Sequence, residues 1–158
     1  DAGPCKFHAQ HAHFHYNAFV EFGMYTVKAD GSTGALAARS LKESFCLADD
    51  GYFGFASAGP NGPRGYAGQP GCNLPSLPTA DALLSMVNSP GWGDIYTWDT
   101  PDQFIDITHV APGTYDLVAR ANPARRLMVS STLHSCAGTR IKLEADKATV
   151  LRPYVACH

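Results

Sequence analysis

Residues 114–121, TYDLVARA, alternate along their length: Tyr115, Leu117, Ala119 and Ala121 fall on one side, Asp116 and Arg120 on the other. Residues 139–146, TRIKLEAD, repeat the pattern, with Ile141, Leu143 and Ala145 opposite Arg140, Lys142 and Glu144. A period of two is the signature of a half-buried strand, because successive side chains of extended backbone point to opposite faces. QFIDIT (103–108) and SFCLAD (44–49) are shorter runs of the same kind. ADGSTG (29–34) and APGTY (111–115) read as turns, set by Pro and by Gly or Asp where positive φ is tolerated. Only PTADALLSMVNSPGW reads as helical. Thr79 caps it, Leu83, Leu84, Met86 and Val87 give it an apolar side, and Pro90-Gly91 stops it, which predicts one short helix over about 79–88. Residues 57–78 are too rich in Gly and Pro for regular structure. With no internal repeat and no linker, the expectation is a mainly β chain: a single β-sandwich-like domain over 1–158 with long irregular loops.

Composition bounds the partners. The chain has 158 residues, 16% of them charged, and a formal net charge of −2, so nothing suggests nucleic acid. No apolar stretch approaches the ~20 residues that span a bilayer, so no membrane partner is expected. No secretory leader opens the chain, and DAGPC is compatible with a start left by its removal. Cys5, Cys46, Cys72, Cys136 and Cys157 are scattered, with no C-x-x-C pair. That favours disulfides and an extracellular, oxidising setting. Cys136 and Cys157 flank a C-terminal hairpin and are expected to bridge; the other three leave one thiol over. A monomer is expected.

KFHAQHAHFHY (6–16) gathers four of the seven histidines. On a strand, His11, His13 and His15 would share one face at steps of about 6.6 Å. A twisted or bent strand could bring all three imidazoles onto one ion, which suits copper or zinc. Phe14 would then point into the core. His8 is out of phase: it is a fourth ligand if the chain bends, or else a surface or supporting residue.

FHAQHAHFH resembles the copper-binding segment of the lysyl oxidases, W-H-x-C-H-x-H-Y-H. SLKESFCLADD is similar to that family's H-K-A-S-F-C-L-E-D, and QPGC to its S-P-G-C. QFIDITHVAPGTYDLVARANP resembles Q-W-I-D-I-T-D-V-x-P-G-N-Y-x-L-x-V-x-V-N-P. The four motifs run in the same order from residue 7 to about residue 123. Departures are also plain: Phe7 stands for Trp, Gln10 and Asp102 for cysteines, and Leu41 for the His before the lysine. Residues 73–95 form an insertion, and the family's S-D-Y-x-N-N segment is not recognisable. The departures imply a distant member of that family, with a bacterial source expected.

The resemblance implies a Cu2+ ion on His11, His13 and His15, and a lysyl tyrosylquinone cofactor that the protein makes from its own residues. The lysine falls on Lys42. The tyrosine lies eight positions before the Trp of Q-W-I-D-I-T, which is Phe104 here, and so falls on Tyr96; Tyr52 and Tyr66 lack that spacing. The implied activity is oxidative deamination of a primary amine, on a protein lysine or a small molecule, with O2 as oxidant and aldehyde, NH3 and H2O2 as products. A general base must take the substrate's α-proton. Asp99, three residues after Tyr96, is the candidate, with Asp102 behind it. Two other readings remain: a non-enzymatic extracellular copper- or zinc-binding domain, and a zinc hydrolase. No Asp or Glu stands between residues 7 and 20, which weakens the hydrolase.

Overall fold

The computed structural model describes residues 5–10, 12–40, 44–54, 86, 88–89, 91–97, 99–127 and 135–157. Among them the regular structure is all β, as the alternating pattern predicts. Nearly all of the expected helix over 79–88 and the whole of the 57–78 loop lie outside the described residues; Met86, Asn88 and Ser89 are irregular. The chain divides into two compact units, one of residues 1–17 and 44–101, the other of 18–43 and 102–158.

The second unit is a five-stranded antiparallel sheet of β3 (Val20–Val27), β4 (Thr33–Arg39), β7 (Gly113–Ala121), β8 (Cys136–Leu143) and β9 (Ala148–Arg152). Their order is β4-β3-β7-β8-β9. The predicted alternation decides which face is apolar. Met24, Tyr115, Ile141 and Leu143 are buried together, with Leu117, Ala38, Ile105 and Val110 packed against them. The ADGSTG turn joins β3 to β4 as expected. Gly31 takes φ 81°, and Asp30 Oδ1 accepts from Ser32 N at 2.9 Å and Ser32 Oγ at 2.7 Å. A residue with a Cβ would be strained at that φ. The Cys136–Cys157 bridge forms across the C-terminal β8–β9 hairpin region, and Cys5 is a free thiol.

Two short runs depart from expectation. QFIDIT forms no strand: Asp106 Oδ1 accepts from Thr108 N at 2.9 Å and from its hydroxyl at 2.6 Å. That local bond offers the backbone a turn in place of a ladder. In SFCLAD only Phe45 pairs, in an isolated bridge to Tyr16. Asp116, read as the polar side of β7, is wholly buried.

The first unit holds two ribbons. β1 (Cys5–His8) pairs with β2 (His13–Tyr16), and β5 (Gly51–Tyr52) pairs with β6 (Trp92–Gly93), both antiparallel. Phe14 is buried as expected, in a cluster with Cys46, Cys5, Ala48 and Met86. The 44–53 segment is tied to 88–93 by several bonds. Ser89 N and Oγ donate to the Asp49 carboxylate at 2.7 and 2.6 Å, Asn88 Nδ2 donates to Ala48 O, and Phe53 N donates to Gly91 O at 2.8 Å.

Candidate metal and tyrosine site

The histidine-rich stretch folds as a hairpin, with β1 and β2 paired Cys5↔Tyr16, Lys6↔His15, Phe7↔Phe14 and His8↔His13. Opposed residues of an antiparallel pair share a face, so His8, His13 and His15 lie on one face and Phe7, Phe14 and Tyr16 on the other. Phe7 and Phe14 meet edge-on with ring centroids 5.2 Å apart, which pins that second face. The strand is shorter than the H-x-H-x-H spacing predicts. It begins at His13, and Ala12 before it adopts φ 55° in the connecting turn. His11 lies outside the described residues.

His13 and His15 stand as the alternation requires, with their Nε2 atoms 2.9 Å apart. Two nitrogens each about 2.0 Å from one ion and about 90° apart would stand roughly 2.9 Å from each other, so this pair fits a shared transition-metal ion. His15 is buried, and its Nδ1 lies 3.1 Å from Ser44 Oγ. A hydrogen bond at one ring nitrogen fixes which nitrogen faces a metal, and here it leaves Nε2 for that task. His8 stacks on His15, with centroids 4.8 Å apart and planes at 15°. Among the described residues no three ligating side chains form a metal-binding group.

Tyr96 reaches the same short segment that carries Ser44. Its hydroxyl accepts from Cys46 N at 3.3 Å, and its ring stands edge-on to Phe45 at 4.9 Å and 86°. Phe45 in turn exchanges backbone bonds with Tyr16, N to O at 3.2 Å and O to N at 2.8 Å. Ser44, Phe45 and Cys46 therefore touch both the end of the histidine strand and Tyr96. Lys42 lies outside the described residues; in sequence it precedes Ser44 by two positions.

The electrostatics at Tyr96 disfavour ionisation. Burial pushes its phenol above the ordinary tyrosine range, and the Asp94 carboxylate, through its charge and a hydrogen bond, pushes it further, with Asp50 adding to the effect. The Cys46 amide works the other way. Antiparallel pairing of Gly51 with Gly93 makes Asp50 and Asp94 the next opposed positions, which explains why two carboxylates gather at this end of the ribbon. Asp94 Oδ2 is shut off from solvent, whereas Asp99 is exposed. Sequence reasoning did not single out Ser44, Asp50 or Asp94. Ser44 was within reach, inside the K-x-S-F-C motif. Asp94 carried only its place two residues before Tyr96.

These causes make a prediction for the metal-free protein. Asp94→Asn should make Tyr96 ionise at a lower pH, because one negative neighbour is removed, while burial keeps that pH above the ordinary tyrosine range. Ring-carbon NMR shifts of labelled tyrosine against pH measure it, and an unmoved titration would show that Asp94 does not act on this hydroxyl.

No protein-family model matches the chain. Among curated proteins, it is 33% identical over 112 residues to human lysyl oxidase homolog 1, covering 70% of this chain and 16% of that protein. It is also 33% identical over 112 residues to pig protein-lysine 6-oxidase, covering 71% of this chain and 37% of the relative. For chicken protein-lysine 6-oxidase the match is 34% over 116 residues, 71% of this chain and 22% of the other. The chain thus spans well under half the length of these relatives.

Proposed function

We propose, on the premise that this chain is a distant relative of the lysyl oxidase family, that it is a copper- and quinone-dependent amine oxidase. The substrate would be the primary amine of a peptidyl lysine or a small molecule. Overall, R-CH2-NH2, O2 and H2O give R-CHO, NH3 and H2O2: the carbon loses two electrons, and O2 takes them. The relatives named protein-lysine 6-oxidase support the oxidoreductase class and make protein lysine the first substrate to try. The observation that carries the reading is the Ser44–Phe45–Cys46 segment, which holds the histidine strand and Tyr96 together and begins two residues after Lys42 in sequence.

In this reading His11, His13 and His15 hold the ion, and Ser44 aims His15. Copper with O2 would supply the oxidising power that turns a tyrosine ring into a quinone electrophile, the electron sink for amine oxidation. Tyr96 would be the ring so modified, and Lys42 would supply the amine that joins it as lysyl tyrosylquinone. To act as a nucleophile, the Lys42 amine must spend part of its time neutral, which burial beside a cation promotes. The base for the substrate's α-proton must stand within hydrogen-bond reach of the reacting carbon. Asp99 is the residue that the sequence offers, and it is exposed. Asp94, whose charge and hydrogen bond act on the Tyr96 hydroxyl, is the second candidate for that role. The Cys136–Cys157 disulfide and the disulfide-bonded Cys46 fit action outside the cell.

The test is peptide mapping of copper-loaded, oxygen-exposed protein. A covalent Lys42–Tyr96 peptide, with a visible band that shifts on adding a hydrazine, is the expected result. Copper uptake without that crosslink would overturn the oxidase and leave a metal-binding domain.

A further inference from the structure

His8 is the histidine that neither the strand periodicity nor the proposed ligand set absorbs. It closes the hairpin opposite His13, and its ring lies diagonally across the ribbon against the buried His15. We propose that His8 is not a copper ligand but a positioning residue, a stacking plate that locks the plane of the ligand His15. The proposal rests on the metal site argued above.

The geometry separates the two roles. A metal bound by imidazole lies in the plane of the ring, along the nitrogen lone pair. The His8 and His15 planes are tilted by 15°, with centroids 4.8 Å apart. Rings stacked at contact, about 3.5 Å apart and tilted this little, have planes that meet only on the order of 13 Å away, far beyond a metal–nitrogen bond of about 2 Å. An ion in the plane of His15 therefore lies outside the plane of His8. The His13 and His15 planes are tilted by 45°, and their Nε2 atoms converge at 2.9 Å, so that pair meets no such obstacle.

What His8 supplies is a constraint that the Ser44 bond lacks. The contact of Nδ1 with Ser44 Oγ at 3.1 Å fixes one edge of His15 but lets the ring roll about that axis. Rolling swings Nε2 out of line with His13. An aromatic face laid flat against the ring removes the roll. Ser44 on the edge and His8 on the face together define the His15 plane before any metal arrives, and such preorganisation raises affinity.

The experiment measures Cu(II) affinity by chelator competition and counts coupled nitrogens by electron paramagnetic resonance, in wild type, His8→Ala and His8→Phe. Stacking predicts that His8→Ala binds about tenfold more weakly, the lower end of the range for residues that orient metal ligands. Its nitrogen count should be unchanged. His8→Phe restores a flat ring without a nitrogen and should return affinity to within about twofold of wild type, on the same reasoning. Loss of one coupled nitrogen in both variants would overturn the proposal and make His8 a ligand. Wild-type affinity and spectrum in His8→Ala would overturn it as well, since the ring would then position nothing. A wild-type chain that takes up no copper would sink the metal site and this role together, a result distinct from either variant outcome.

Discussion

Tyr96→Phe is expected to abolish amine oxidation, by roughly 10^3-fold or more in kcat, because it removes the group from which the reactive cofactor would be made. The fold should survive. The phenyl ring can keep its edge-on contact with Phe45 at 4.9 Å, and the hydroxyl's bonds with Cys46 N at 3.3 Å and with the Asp94 carboxylate are lost, a cost of about 1–3 kcal/mol. Copper uptake should also persist, since the ligands proposed are imidazoles on another segment. Tyr52→Phe is the control: Tyr52 packs against Trp92 with ring centroids 5.5 Å apart and planes tilted by 53°, and lacks the spacing to Phe104, so the variant should keep both the visible band and the activity. Peroxide release with a primary amine and the hydrazine-sensitive absorbance are the two readouts. A visible band that survives in Tyr96→Phe would show that the quinone forms elsewhere.

The parts of this site that could be read from sequence are those that depend on local geometry. Alternation put His13 and His15 on one face, and they stand there with their nitrogens converging. Alternation also put Tyr115, Leu117, Ile141 and Leu143 on the apolar side of the sheet, and those residues form its core. What stayed hidden depends on contacts across long sequence separations. Ser44 reaches His15 from 29 residues away, and Cys46 reaches Tyr96 from 50. No period or propensity encodes such pairs. QFIDIT failed for the opposite reason: its alternation was real, but an aspartate that could bond its own backbone two residues on overrode it. His8 was illegible in a third way. Its phase is wrong only for one straight strand, and the turn at Ala12 places it on the partner strand instead.

The most consequential residue outside the site is Asp116, expected on a polar face and found wholly buried. Its carboxylate takes a two-pronged bond from Arg140, Nε at 2.7 Å and Nη2 at 3.0 Å, and a third from Thr33 Oγ1 at 2.8 Å. Arg140 Nη2 also donates to Gly31 O at 2.8 Å, so one guanidinium joins β8, β7 and the β3–β4 turn. The cross-strand register sets Asp116 opposite Arg140, and the saturated carboxylate is the reason that the charge tolerates burial. Asp116→Asn keeps the volume but leaves Arg140 without its counter-charge. Breaking a buried pair from one side costs about 3–5 kcal/mol, and the partial exposure of Arg140 argues for the lower figure. Near 3 kcal/mol corresponds to a fall in Tm of about 10 °C for a chain of this size. Replacing both partners, Asp116→Leu with Arg140→Met, should cost less than the single change, because no unpaired charge remains. The pH dependence has a definite sign. The Arg140 bonds hold the Asp116 carboxyl below its ordinary value of 3.8, so its contribution is complete above that value and is lost as pH falls through the folded one. Acid unfolding of the wild type should therefore steepen below about pH 4, and Asp116→Asn should flatten that limb. Thermal melts from neutral to acid pH would show both effects. Parallel wild-type and Asp116→Asn curves there would mean that this carboxylate does not titrate with folding.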